Sequence, residues 1–402
     1  MKFVLRLLLG IGLCAVFAGC RPKNEATTAS LPEDRPLPSY QAKLLDIAFD
    51  SATVIPVDPH IKDRSRIQED VVTACFRLDQ PQRALRYIKQ ILNWRRGTGY
   101  ADLALYCVQH DTMEVEPLVD QAHQVAQTEE DWRKDRILVK IARVRTFLGQ
   151  TQQADQLAAD VVPAESGKVD RIKAMMCDEN SFEEQAKTLD GYIATGNFDL
   201  VNNSLQAYAQ LFNQFYQDLD RRSLIEEKIK ASWGNIPITI RIDLLMQCAR
   251  FSLSHQDQIK AIELINEAET MMDTLTWQPR FEIPIRARLA AFRFRAGDTV
   301  QARTELQDAL TQFNRQRDSM VNIYRAGVLR PLAEAYQAIG DIDAALAVYK
   351  QAIEAGVENP NSRPRAEDLS ATCCSLAVHA MEPDTELWDR IHEIYNGLGD
   401  PW

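Results

Sequence analysis

Residues 326–360, AGVLRPLAEAYQAIGDIDAALAVYKQAIEAGVENP, constrain the fold most, because they spell two helices and the turn between them. Leu329, Leu332, Ala333 and Tyr336 recur at helical spacing and form one apolar stripe. Gly340 comes next, at a position where the backbone turns left-handed most cheaply as glycine. Asp341 is placed to cap a second helix whose stripe is Ala345, Tyr349 and Ala352. Small Ala333 and Ala345 allow the two helices to approach closely, while Leu332 and Tyr349 fill the space beside them. Pro360 lies in the connection to the next helical segment.

The same arrangement recurs along the chain. Gly149, Gly196 and Gly297 each follow one amphipathic run and precede another. Seven residues before these glycines and Gly340 stand Ala142, Leu189, Ala290 and Ala333. Five residues after stand Ala154, Val201, Ala302 and Ala345; twelve after stand Val161, Tyr208, Ala309 and Ala352. Two hairpins keep the pattern with another residue at the turn: Asp79, with Val72, Ala84 and Ile91, and Gln256, with Ala249, Ala261 and Ala268. No stretch alternates with the period of two that a half-buried strand needs.

Residues 326–360 resemble a tetratricopeptide repeat (TPR), a helical hairpin of about 34 residues with this order of Leu-Ala, Tyr, Gly, Ala, Tyr, Ala and Pro. The resemblance covers roughly residues 61–397 and is densest at 283–360. It implies an all-α fold, a right-handed superhelix, or solenoid, of stacked hairpins, since one hairpin cannot bury its apolar face alone. The expected organisation is a capping helix and loop at 40–60, repeats over 61–364 with an extra helix near 217–233, and a capping hairpin at 365–402. The code does not fix the register at 98–127 or at 165–185.

The first twenty residues are MKFVLRLLLGIGLCAVFAGC. Lys2 and Arg6 precede a short apolar run, Leu7 to Ala18, shorter than the roughly 20 residues of a membrane span. The ending Phe17-Ala18-Gly19-Cys20 resembles a bacterial lipoprotein lipobox, with Phe17 in place of the usual Leu. That resemblance implies a signal peptide at 1–19, lipidation of Cys20 and a lipid-anchored place in the cell envelope. Arg21, where inner-membrane retention uses Asp, points to the outer membrane facing the periplasm. An ordinary signal peptide and an uncleaved anchor remain alternatives. Residues 20–39 are polar and proline-bearing and are expected to form a flexible tether.

The formal net charge of −11 excludes nucleic acid as a default partner, because phosphate binding draws on a basic surface. Beyond Cys14 and Cys20 the cysteines are Cys75, Cys107, Cys177, Cys248, Cys373 and Cys374, without a CxxC pair. An even count in an exported chain invites disulfides, yet Cys75 and Cys248 fall on core stripes, which favours buried thiols. No two histidines stand three or four residues apart, and no phosphate-binding glycine loop or nucleophile elbow occurs. No enzymatic activity, cofactor or metal is expected.

In the resembling family the first helix of each hairpin lines an inner groove. Counting back from the turns places Arg143, Phe147, Arg250, Phe294, Arg295 and Arg330 on that side. Val139, Thr146 and Ala287 fall in the same count. Arginine pairs with carboxylates bidentately and aromatics anchor side chains, so the groove is expected to take a protein or peptide partner through an acidic segment. The Lys/Asn clamp of chaperone-binding members is not matched. The leading reading is a membrane-anchored protein-interaction scaffold of the bacterial envelope. The alternative is a closed α/α toroid acting on carbohydrate in the periplasm, which would be compact where an open solenoid is elongated.

Overall fold

The computed structural model describes residues 31–402 apart from 112, 113 and 160. The expected leader, Cys20 and the first part of the tether lie outside the described residues. The chain runs through α1 (Ser39–Val54), α2 (Val57–Arg77), α3 (Pro81–Ile88), α4 (Arg95–Gln109), α5 (Glu116–Gln127), α6 (Asp131–Phe147) and α7 (Thr151–Ala159). It continues through α8 (Pro163–Ser166), α9 (Lys168–Met175), α10 (Phe182–Ala194), α11 (Phe198–Gln214), α12 (Leu219–Ala231), α13 (Ile238–Ser254) and α14 (Gln258–Asp273). It ends with α15 (Pro279–Arg295), α16 (Thr299–Gln316), α17 (Asn322–Ala338), α18 (Ile342–Val357), α19 (Ser362–Val378) and α20 (Thr385–Asn396). No strand occurs among the described residues, so the expected all-α array of helical hairpins is what the chain forms.

Every residue that the turn code assigns to a helix contact is buried, from Val72 and Ala84 in the first hairpin to Ala333, Ala345 and Ala352 near the end. The turns behave as the spacing requires. Gly149, Gly297 and Gly340 have φ of 73°, 99° and 78°, and the substitutes Asp79 and Gln256 take φ of 55° and 61°. The following amide bonds back to the helix: Gln80 N donates to Cys75 O at 2.9 Å, Asp257 N to Ser252 O at 2.9 Å, and Asp341 N to Tyr336 O at 3.0 Å. Ala380, with φ 52° and Met381 N donating to Leu376 O at 2.9 Å, makes the same turn after α19.

From α12 onward the outer helices start on aspartates. Asp218, Asp257, Asp298, Asp341 and Asp384 cap α12, α14, α16, α18 and α20, each accepting from the amide three residues on. The spacing between these caps is roughly 40 residues, longer than a 34-residue hairpin repeat. The segment expected as an extra helix is α12, the outer partner of α11. Gly196 differs from the other turn glycines. It joins outer α10 to inner α11, because α8 and α9 occupy an inner position that the code did not register. The code reports close approach of two helices and is blind to which of them is inner.

The two ends of the array meet. Helices α2, α4, α6, α9, α11, α13, α15, α17 and α19 each pack on the next, and α19 packs on α2. Helix α1 lies in the outer layer between α19 and α2 and caps nothing. It buries Leu44, Leu45, Ala48 and Phe49 against them, so the apolar core continues from α1 and α2 into α17, α18 and α19. Arg363 and Asp63 pair at 2.9 Å across this seam, as do Arg66 and Glu367. Nor does α19 form the solvated cap expected of 365–402; Ala366, Leu369, Cys373 and Leu376 are buried.

The end of the expected tether is docked. Arg35 N donates to Asp79 O at 2.9 Å, and Gln80 Nε2 donates to Arg35 O at 2.6 Å. Asp34 accepts from Gln82 N at 2.7 Å, which caps α3 from a distant part of the chain where Gln80 makes no side-chain cap of its own. A carboxylate at a helix N-terminus satisfies orphan amides, and that fixes residues 34–38 against the hairpin.

Candidate anion-binding wall

Closing the circuit turns the inner helices into a concave wall. One cleft of about 400 Å³ opens between α2, α4, α6 and α9. Five cations line it: Arg95, Arg136, Lys140, Arg143 and Lys168. Four have carboxylate partners. Arg95 pairs with Glu69 and Lys140 with Asp102. Arg136 and Lys168 share Glu165 at 3.0 and 2.6 Å. Arg143 has no hydrogen bond or ion pair with any described residue.

Two further arginines stand near Arg143. Arg171, on α9, has its guanidinium pKa lowered by burial and then by the charges of Arg143 and Arg250. Its side chain nonetheless reaches solvent, as does that of Arg250 on α13. Arg171 makes no ion pair among the described residues, and Arg250 only stacks on Phe251, 5.2 Å from the ring centroid. Three guanidinium groups with no carboxylate partner among the described residues thus act on one another's part of the wall, Arg143 and Arg250 each on Arg171, in a chain with 57 acidic residues.

The remaining expected groove residues separate. Arg295 is exposed and unpaired among the described residues. Arg330 is held by Asp368 at 2.9 Å. Phe147 and Phe294 are half-buried against the apolar core, and Arg303 covers Phe294 at 5.3 Å. They do not stand as free aromatic anchors between arginines. Val139, Thr146 and Ala287, on the same counted side, are buried. A helix packed on two inner neighbours and an outer partner leaves only a narrow solvent stripe, narrower than the counted one. Arg171 was missed because the turn code fails at 165–185; its signal was a basic residue four before Met175 on a short amphipathic run.

Cys75, Cys107, Cys177, Cys248, Cys373 and Cys374 are all unpaired, and all but Cys374 are buried. Burial pushes the Cys107 and Cys248 thiols up to about 12. Among the described residues no group of three His, Cys, Asp or Glu is arranged to hold a metal, and no helix is long and apolar enough to cross a membrane.

No protein-family model and no curated protein sequence matches the chain. One solved structure that aligns with it is a "Circular tandem repeat protein with novel repeat topology and enhanced subunit contact surfaces". The alignment covers 89% of this chain and 94% of the other at 13% identity, with a TM-score of 0.22. At that score the likeness carries no argument.

Proposed function

We propose that the chain is a TPR-like, membrane-anchored lipoprotein of the bacterial cell envelope that holds a partner protein through an acidic segment on its inner wall. A helical repeat fold fits a protein-interaction role. The observation that carries the reading is the unneutralised trio Arg143, Arg171 and Arg250. Three repelling guanidinium groups are stabilised by carboxylates, which arginine takes bidentately. The net charge of −11 opposes an acidic partner at long range, so local pairing has to win and affinity should fall with salt. Anchoring rests on the Phe17-Ala18-Gly19-Cys20 sequence.

Crosslinking and capture from native membranes tests this. Arg143→Glu with Arg250→Glu should abolish capture of the partner while melting temperature stays unchanged. Undiminished capture would place the binding surface elsewhere. Cys20→Ser should release the protein from the membrane fraction or leave it as precursor; unchanged mobility and location would remove the anchor from the proposal.

Closure of the circuit favours a second reading, a ring-shaped enzyme acting on carbohydrate. Asp63, Glu367 and Asp368 line one cavity, and burial raises the Asp368 pKa. Each is bound by an arginine, however, which suits structure better than proton transfer. Release of reducing ends from a polysaccharide, lost in Asp368→Asn, would establish this reading instead.

A further inference from the structure

A second cavity, of about 640 Å³, opens where the first turns of α15, α17 and α19 meet α2. It lies at the opposite ends of the inner helices from the Asp79, Gly297 and Gly340 turns. Its carboxylates are already matched: Asp63 by Arg363, Asp368 by Arg330, and Glu367 by Arg66, each at 2.9 Å. Its remaining cation, Arg280, is not. The Arg280 guanidinium lies 4.5 Å from the Phe281 ring centroid and 4.4 Å from that of Tyr324. Its Nε is buried and has no hydrogen-bond partner, and no described carboxylate is within ion-pair distance.

The surroundings are apolar and open. Phe281, Ile323 and Tyr324 line the same cavity and are 48%, 44% and 38% exposed. Large apolar side chains gathered at one exposed place mark a binding surface, and aromatics with arginine are the residues that dominate such surfaces. The ring contacts hold the guanidinium in place and engage its face; Nε is buried, and the two terminal NH2 groups are left for a planar acceptor. Asn359, on the cavity wall, accepts from Asn361 N at 3.0 Å through Oδ1, and its NH2 makes no bond to the described protein.

We infer that this cavity takes the C-terminal carboxylate of a peptide whose last residue is apolar. The carboxylate pairs with Arg280, the last side chain lies on Phe281, Ile323 and Tyr324, and the Asn359 amide meets a main-chain carbonyl. Charge selects the occupant: among the described residues the single unmatched charge in a cavity of matched pairs is one cation, so one carboxylate neutralises it. The site is separate from the Arg143, Arg171 and Arg250 wall and stands without it.

The test is fluorescence polarisation with a labelled Gly-Ser-Gly-Ser-Leu-Phe peptide, as free acid and as C-terminal amide. The free acid should bind about ten-fold or more tighter than the amide. Arg280→Ala should erase that difference, and Tyr324→Ala should weaken both forms. Arg280→Lys, which keeps the charge and loses the planar fork, should recover only part of the preference. Arg143→Glu with Arg250→Glu should leave this binding intact, which separates it from the inner-wall proposal. Equal binding of acid and amide, or binding indifferent to Arg280→Ala in a variant of native melting temperature, overturns the inference. Phenylpropionate competing as well as the peptide also overturns it, in favour of a small-carboxylate site.

Discussion

Gln41 Nε2 donates to the backbone carbonyl of Ala377 at 2.6 Å, a buried bond between residues 336 positions apart. It joins α1 to α19 and therefore the beginning of the array to its end. In an open stack the first helix would have one neighbour and would fray. Here it fills an outer position with inner helices on both sides. Tyr349, Ser375 and Glu334 tie α18, α19 and α17 together beside the seam, with Tyr349 Oη and Ser375 Oγ 2.7 Å apart and Ser375 donating to Glu334 at 2.6 Å.

Leu45→Ala should therefore cost about 2–5 kcal/mol, the range for a fully buried leucine. Leu219→Ala, at a residue 62% exposed, should cost under about 0.5 kcal/mol. Urea melts compare the two. Hydrogen exchange supplies the second check: α1 amides should be protected as well as those of α11. Exchange of α1 at the rate of a free terminus would show that the circuit opens in solution.

The hairpin code predicts which alanines tolerate growth. Ala345 is fully buried where α17 and α18 approach, whereas Ala338, at the end of α17, is exposed. Ala345→Leu forces a bulky chain between close helices and should destabilise by about 1–3 kcal/mol. Ala338→Leu should be nearly neutral. Equal melting temperatures for the two variants would refute the helix register.

The hairpins were legible because close helix contacts require small residues at fixed offsets from a left-handed turn, and those offsets survive as Ala142, Ala154, Ala290 and Ala302. Closure was not legible. The apolar stripe of α1 looks the same whether it meets one neighbour or two, and nothing local announces a partner 336 residues away. Beyond Asp341, the aspartate caps were legible but unused; Asp218, Asp257, Asp298 and Asp384 would have assigned α12 as an outer helix. Of the expected site residues, Arg143 and Arg250 each lie near enough to Arg171 for their charges to act on it. Arg330 does not join them, because its partner Asp368 comes from the next inner helix, a contact that depends on how hairpins stack.

Reductant should leave the melting temperature unchanged, since none of the six described cysteines is bridged. Their thiols should also be slow toward a thiol-specific dye at about pH 8. Burial keeps Cys107 and Cys248 protonated far above that pH, and five of the six are out of reach of solvent. Full reactivity should appear only on addition of denaturant. Rapid labelling of more than Cys374 in the native protein would contradict the packing.

Asp170 offers a pH-dependent test of the region that sequence reasoning resolved least. It is buried on α9, and desolvation raises its pKa from 3.8 to about 6, with Lys173 lowering it and Asp155 raising it. The folded state therefore binds this proton more tightly than the unfolded state does. Stability contributed by the neutral form is present below the unfolded pKa near 3.8 and declines as pH rises toward about 6. Above that value the cost of a buried charge is complete. Two pKa units correspond to about 3 kcal/mol as an upper figure. Asp170→Asn removes the charge and keeps the shape, so it should stabilise by roughly 1–3 kcal/mol at pH 7 and by almost nothing at pH 4. Chemical denaturation at the two pH values measures this. A variant less stable than the native chain at pH 7 would mean that the Asp170 carboxylate is held by a cation, and the account of α9 as a desolvated inner helix would fail.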